Sequence, residues 1–295
     1  MYSIGVDIGG SHISSCMFEH SDKRLLLESM VCLPVDNKGS IEEILSVWIQ
    51  AIRQTITISK VKFQGIGIAI PGPFDYINGI SLISGVQKYE ALYNVNVRAE
   101  LSEQLDIPAS EIYFINDAMA FGVAESTIGT TSNYNRVVAI TLGTGLGATF
   151  CISGVPYIEG EGVPQNGILF EKQYKGQLAD EFFSTRGIIN HYKSISGEKV
   201  GSVLELSNKI SSDSNAMATF IWFGKELGTF LQPFLDSFGA EVLVLGGNIS
   251  KSFELFEESL KSQVNDIPIC ISTQTEESAI LGAAMYYQLK HHFAV

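Results

Sequence analysis

The sequence is short of cysteine, of positive charge and of long apolar runs, and each shortage removes a class of protein. Its four cysteines, Cys16, Cys32, Cys151 and Cys270, are scattered with no CxxC pair. That argues against a zinc site or a disulfide framework and makes a reducing cytosol the expected setting. Lysine and arginine total 19 against 32 aspartates and glutamates, a net charge of −13. Nucleic acid and anionic membranes repel such a surface, so neither is an expected partner, although backbone dipoles can still bind a small anion on an acidic protein. No run approaches the length needed to span a bilayer. The N-terminus enters an apolar β-type run at once, without a basic segment and h-region, so no signal peptide is expected. No stretch is rich enough in Gly, Ser or Pro to separate independent domains. The remainder, 45% apolar and 17% charged over 295 residues, fits a compact globular protein of one large or two medium domains.

What is present is one glycine-rich design used twice. Ile4-Gly5-Val6-Asp7-Ile8-Gly9-Gly10-Ser11 and Ala139-Ile140-Thr141-Leu142-Gly143-Thr144-Gly145-Leu146-Gly147 each open with an apolar run, turn on glycines beside a hydroxyl residue, and return to small and apolar residues. Each reads as strand, glycine turn, strand, and the exposed N–H groups at the tip of such a hairpin can hold an anion such as phosphate. Two of them suggest a duplicated fold acting on one polyphosphate.

The rest of the chain supplies alternating strands and helices. Residues 25–33 read as a third strand, and Ile41, Ile44, Leu45, Trp48, Ile49 and Ile52 recur at helical spacing after a plausible cap at Ser40. Residues 63–70 form an apolar run broken by Pro71-Gly72-Pro73. Helical patterns follow at 98–106, 118–126, about 215–238 and 279–289, with a strand at 111–115 and a buried-type strand at 241–245.

Several residues sit where chemistry could occur. Asp7, at the mouth of the first glycine turn, could hold a hydrated Mg²⁺ or simply stabilise the turn. Ser11 could donate to a phosphate or close the turn, and His12 reads as a turn or surface residue. Asn116-Asp117 stands between a strand and a helix, so Asp117 is either an N-cap or a general base taking the proton of an attacking hydroxyl. Gly72 permits close approach of the backbone to a sugar, or only forms a rigid turn. Gly246-Gly247-Asn248 is a tight turn after a strand, or a flat surface for adenine and ribose.

Taken in order, these motifs resemble the ROK family of repressors and sugar kinases, within the actin/hexokinase-like ATPase superfamily. The resemblance runs through Val6 to Ser11, Pro71 to Asp75, Ile115 to Ala118 with Ala124-Glu125, Leu142 to Gly147, Leu245 to Ile249 and Ile280 to Ala284. It implies a two-lobed, duplicated α/β fold of the actin-like (ribonuclease H-like) kind with an interdomain cleft. The expected lobes are 1–116, completed by the C-terminal helix at 279–295, and 117–278. It also implies an ATP-dependent sugar kinase acting on a glucose-like hexose or an N-acylhexosamine, as a cytoplasmic homodimer. A sugar- or nucleotide-binding sensor or regulator without turnover is the alternative. Carried over, Asp117 is the base, and Gly72, Asn116, Asp117, Gln165 and Asp180 face the sugar. Asp7, Gly9, Gly10, Ser11, His12, Gly143, Thr144, Gly145, Gly246, Gly247 and Asn248 serve ATP, with Asp7 on Mg²⁺ through water. The chain departs from the family at 164–180, where Gln165 stands for the usual Glu, Ile168 for the usual His, and the zinc-binding cysteines are missing. Zinc is therefore not expected, and packing through Phe170, Tyr174, Phe182 and Phe183 is expected to hold the segment. The loop at Ser84 to Tyr89, around Gln87, also departs from glucose-kinase members.

Overall fold

A computed structural model describes residues 1–86, 88–273 and 277–293, so Gln87 lies outside the described residues. The chain divides into two compact units, Met1–Ala124 with Glu276–Val295, and Glu125–Thr275.

Unit 1 begins with β1 (Tyr2–Ile8) and β2 (His12–Glu19), an antiparallel hairpin in register from Tyr2↔Glu19 to Ile8↔Ile13. Short strands β3 (Arg24–Leu25) and β4 (Val31–Pro34) both pair with β2. The sequence suggests one strand here. It is split because Ser29 donates to the Leu26 carbonyl at 2.7 Å and accepts the Met17 amide at 3.0 Å, closing a 3-10 turn over Leu27–Ser29. Helix α1 (Ile41–Ser59) starts on a capping box, the Glu43 amide donating to Ser40 Oγ at 3.2 Å and the Ser40 amide to Glu43 Oε2 at 2.7 Å. Its Ile44, Leu45, Trp48, Ile49 and Ile52 are buried in the unit 1 core.

Strand β5 (Ile66–Ile70) is buried throughout and lies parallel to β1, as an interior strand of a parallel sheet requires. The small hairpin of β6 (Phe74–Asp75) and β7 (Ile80–Ser81), then α2 (Val97–Leu105), lead to β8 (Ile112–Asn116), parallel to β5. The sheet order is β3-β2-β1-β5-β8. Helix α3 (Asp117–Thr127) follows β8 directly, and the division between the units falls inside it.

Unit 2 repeats the plan. Strands β9 (Arg136–Leu142) and β10 (Leu146–Ile152) form its antiparallel hairpin, β11 (Val155–Tyr157) adds to β10, and the hairpin of β12 (Gln173–Tyr174) and β13 (Gln177–Leu178) stands apart. Helices α4 (Ala179–Phe182), α5 (Thr185–Ser196), α6 (Val203–Ser207) and the long α7 (Ser214–Phe238) precede β14 (Val242–Gly246). After α8 (Glu257–Lys261) comes β15 (Ile269–Ile271), completing the order β11-β10-β9-β14-β15.

The chain then returns to unit 1 as α9 (Ser278–Phe293), which lies on β1 and β5. Glycine inside those strands permits the contact: a Cβ on Gly67 would stand 1.8 Å from the Ala283 carbonyl oxygen, and one on Gly5 2.2 Å from that of Ile280. Gly282 of α9 meets the backbone of Ala120 as closely, which ties the first turns of α3 to unit 1 and sets the division at Ala124, past the expected 116. From Glu125 onward the ties are to unit 2. Its buried carboxylate accepts Ser272 Oγ at 2.6 Å, and Thr130 Oγ1 at 2.8 Å.

Candidate functional site

In unit 1, three parallel neighbours deliver the candidate residues at one edge. Register places Asp7 beside Ala69 and Ile70 beside Asn116, so the loops carrying Gly9, Gly72 and Asp117 all leave the carboxyl ends of β1, β5 and β8. Ligands bind at such ends in open α/β sheets, because the backbone there is released from strand pairing.

The first glycine turn is braced from behind. Tyr89 Oη donates to the Gly9 carbonyl at 2.7 Å, Asn37 Nδ2 to that of Gly10, and the Val35 amide to that of Ser11 at 2.9 Å. In a trans peptide the N–H points opposite the C=O, so these bonds turn the amides of Gly10 and Ser11 away from the protein partners. A Cβ on Gly10 meets nothing within 4 Å among the described residues. Burial, with the negative charge of Asp117 adding to it and His12 opposing, raises Asp7 from 3.8 to about 6. A hard dication carried by a phosphate substrate takes oxygen ligands and keeps much of its water, which a single carboxylate satisfies. Among the described residues no group of three or more His, Cys, Asp or Glu is gathered to hold a resident metal ion.

Asn116 is largely occupied locally. Its Oδ1 accepts the amides of Ala118 at 3.0 Å and Met119 at 3.4 Å, capping α3, while Nδ2 donates to Tyr76 Oη at 3.2 Å. Asp117 is exposed at the first position of α3, where its Oδ1 accepts the Ala118 amide at 2.9 Å. Tyr76, unmarked by any motif, donates to the Ile70 carbonyl at 3.2 Å, and its hydroxyl would lie 3.3 Å from a Cβ on Gly72. Burial raises its phenol above the ordinary range, so it stays a neutral donor and acceptor.

Unit 2 joins its own loops at matching strand ends. Gly246 pairs with Thr141 across β14 and β9, and Gly247, at φ +84°, comes so near that a Cβ would be 2.3 Å from the Leu142 carbonyl oxygen. The glycine turn that follows Leu142 thus starts beside Gly247. A Cβ on Gly143 also meets nothing within 4 Å among the described residues. The Gly143 carbonyl accepts both the amide of Thr185 at 2.8 Å and its hydroxyl at 3.0 Å. Gln165 stands exposed on the turn Gln165–Gly167, and no described hydrogen bond ties its side chain to the glycine loop. Asp180 accepts the Leu146 amide at 2.7 Å and pairs with Arg186 at 2.7 Å.

The segment at 170–183 is held by aromatic packing. Tyr174 lies against Phe182, Phe183 and Phe230 with ring centroids 5.2–5.4 Å apart, and its hydroxyl donates to Glu226 at 2.7 Å. Phe170 takes no part in the core: it is 38% exposed.

The ROK family model matches residues 3–288 of this chain. Glucokinase of Thermotoga maritima is 25% identical over 95% of this chain and 95% of its own. A xylose repressor of Bacillus subtilis is 21% identical over 90% of this chain and 68% of its own length. Among solved structures, the ROK hexokinase of Thermus thermophilus superposes with a TM-score of 0.80 at 22% identity, covering 99% of this chain and 100% of that one. A ROK family glucokinase of Streptomyces griseus, solved with glucose and AMPPNP, gives 0.72 at 18%, covering 98% and 100%. The fold of this chain is therefore that of the ROK sugar kinases, the actin-like ATPase fold.

Proposed function

Because the chain belongs to the ROK family, we propose that it is an ATP-dependent sugar kinase. It moves the γ-phosphoryl group of ATP to a hydroxyl of a hexose or hexose derivative, glucose-like or N-acylhexosamine. The observation that carries this reading is the set of loops at the carboxyl ends of β1, β5 and β8, where a braced glycine turn, a half-buried carboxylate at Asp7 and an exposed one at Asp117 occur together.

Asp117 acts as the general base. It takes the proton of the acceptor hydroxyl as that oxygen attacks the γ-phosphorus. Tyr76 and Asn116 form a neutral pair beside it that orients the acceptor. The amides of Gly10 and Ser11 in unit 1, and of Thr144 in unit 2, serve the phosphates, while Gly246-Gly247-Asn248 serves the nucleoside. Mg²⁺ arriving with ATP, held through water by Asp7, offsets phosphate charge. The same reading expects a homodimer in solution.

A coupled ADP-release assay with Mg-ATP over hexoses, N-acylhexosamines and ketohexoses tests it. Sugar-dependent ADP release is the expected result. Sugar binding without ADP release across the panel would instead make the chain a sensor.

A further inference from the structure

The glycine loop of unit 2 is gripped at both ends by one segment, residues 180–186. Asp180 Oδ1 takes the Leu146 amide at 2.7 Å, just after the loop, and Thr185 doubly occupies the Gly143 carbonyl at its start. Within the loop the Gly143 amide donates to the Gly145 carbonyl at 3.1 Å. Gly145 makes room for the carboxylate, since a Cβ there would stand 2.9 Å from Asp180 Oδ1. The other carboxylate oxygen receives Arg186 Nη2 at 2.7 Å, and the same nitrogen reaches Glu181 at 3.1 Å.

A Gly-Thr-Gly turn left alone has large backbone freedom, and a ligand that needs one conformation must supply the ordering free energy. A bare carboxylate beside an anion cradle would also repel phosphate. Here the first problem is met by the two anchors and the second by the Arg186 guanidinium. With the Gly143 carbonyl held inward, the amide of Thr144 in the same peptide plane faces the other way.

We propose that Asp180 is a positioning residue for the nucleotide phosphates, locking the Gly143-Thr144-Gly145 loop in its anion-receiving form, and is not a ligand of the sugar. The proposal rests on the kinase reading above. Its direct partners are Leu146 and Arg186, and its effect on ATP passes through the loop.

Three readouts on wild type, Asp180→Ala, Asp180→Asn and Thr185→Val test it: amide hydrogen exchange of peptides spanning 142–147, calorimetric titration with Mg-ATP without sugar, and the KM for the sugar. Asp180→Ala should lose protection at Leu146 and weaken Mg-ATP binding roughly tenfold to hundredfold, the range for a charge-assisted hydrogen bond. Its sugar KM should stay at the wild-type value. Asp180→Asn keeps an acceptor for Leu146 and should fall between. Thr185→Val, which retains the amide bond to Gly143, should weaken nucleotide binding less and serves as the reading if Asp180→Ala does not fold. Unchanged exchange, a raised sugar KM with unaltered ATP affinity, or tighter ATP binding in Asp180→Ala would each overturn the proposal. A wild type that binds no Mg-ATP refutes the kinase reading, while exchange still decides whether Asp180 holds the loop.

Discussion

Strands β1 and β9 are buried in the same pattern, position for position, and each ends in a glycine turn leading into an antiparallel partner. The two turns are nevertheless equipped differently. The sixth residue of β1 is Asp7, a carboxylate pushed up to about 6, whereas the sixth of β9 is the neutral Thr141. The turn of unit 1 is braced by neutral donors on its carbonyls. That of unit 2 takes its carboxylate from α4, where Asp180 accepts an amide and is neutralised by Arg186. One hairpin design thus carries an acidic group within its own strand in one unit, and meets an arginine-paired one from a neighbouring helix in the other.

The sharpest way to break that contrast is Asp117→Asn. It should lower kcat about 10²–10⁴-fold, the usual contribution of a general base, with Mg-ATP affinity unchanged by calorimetry. A loss confined to nucleotide binding would remove Asp117 from the role of base.

Next in size come the glycines. Gly10→Ala and Gly143→Ala place a methyl in open space, so both should keep the wild-type melting temperature and lose Mg-ATP affinity about tenfold, one tenfold step being about 1.4 kcal/mol. Gly67→Ala drives a methyl into the Ala283 carbonyl, and thermal denaturation should show a lowered melting temperature or no folded protein.

Asp7 offers a subtler test. Its folded-state pKa of about 6 lies above the ordinary 3.8, so the folded protein holds this proton more tightly than the unfolded chain. The contribution to stability is full below about pH 4 and is lost as pH rises through 6. Asp7→Asn should therefore raise stability at pH 7.5 by up to about 3 kcal/mol and make little difference near pH 4, as denaturant titration at both values would read. The same substitution should depress activity, and wild-type kcat/KM should rise through about pH 6. A variant that loses stability at pH 7.5 would show that the carboxylate is structural, like Asp180.

The smallest effect is expected of Tyr76→Phe. Losing a hydroxyl worth about 1 kcal/mol should raise the sugar KM about fivefold and leave the ATP KM alone, since acceptor chemistry is assigned to unit 1.

Both hairpins were readable in the sequence because glycine and hydroxyl residues concentrate where a chain must turn tightly, and β5 and β14 because a strand buried on both faces is apolar throughout. The supports behind the turns left no such trace. Tyr89 reaches Gly9 across 80 positions and Asp180 reaches Leu146 across 34, and no local pattern marks a hydroxyl or carboxylate whose partner is another segment's backbone. Tyr76 was invisible for the same reason. The break between β3 and β4 follows from one serine side chain competing for backbone groups, and the unit boundary inside α3 from contacts with α9.

The contact of α9 with Gly5 and Gly67 also orders events at the ribosome. Everything in unit 2 is synthesised before α9, and the bare glycine face of β1 and β5 stays uncovered until the last helix emerges. Unit 2 can complete its core first, although it is made second. The N-terminal segment must wait, open on one side, through the synthesis of about 150 further residues.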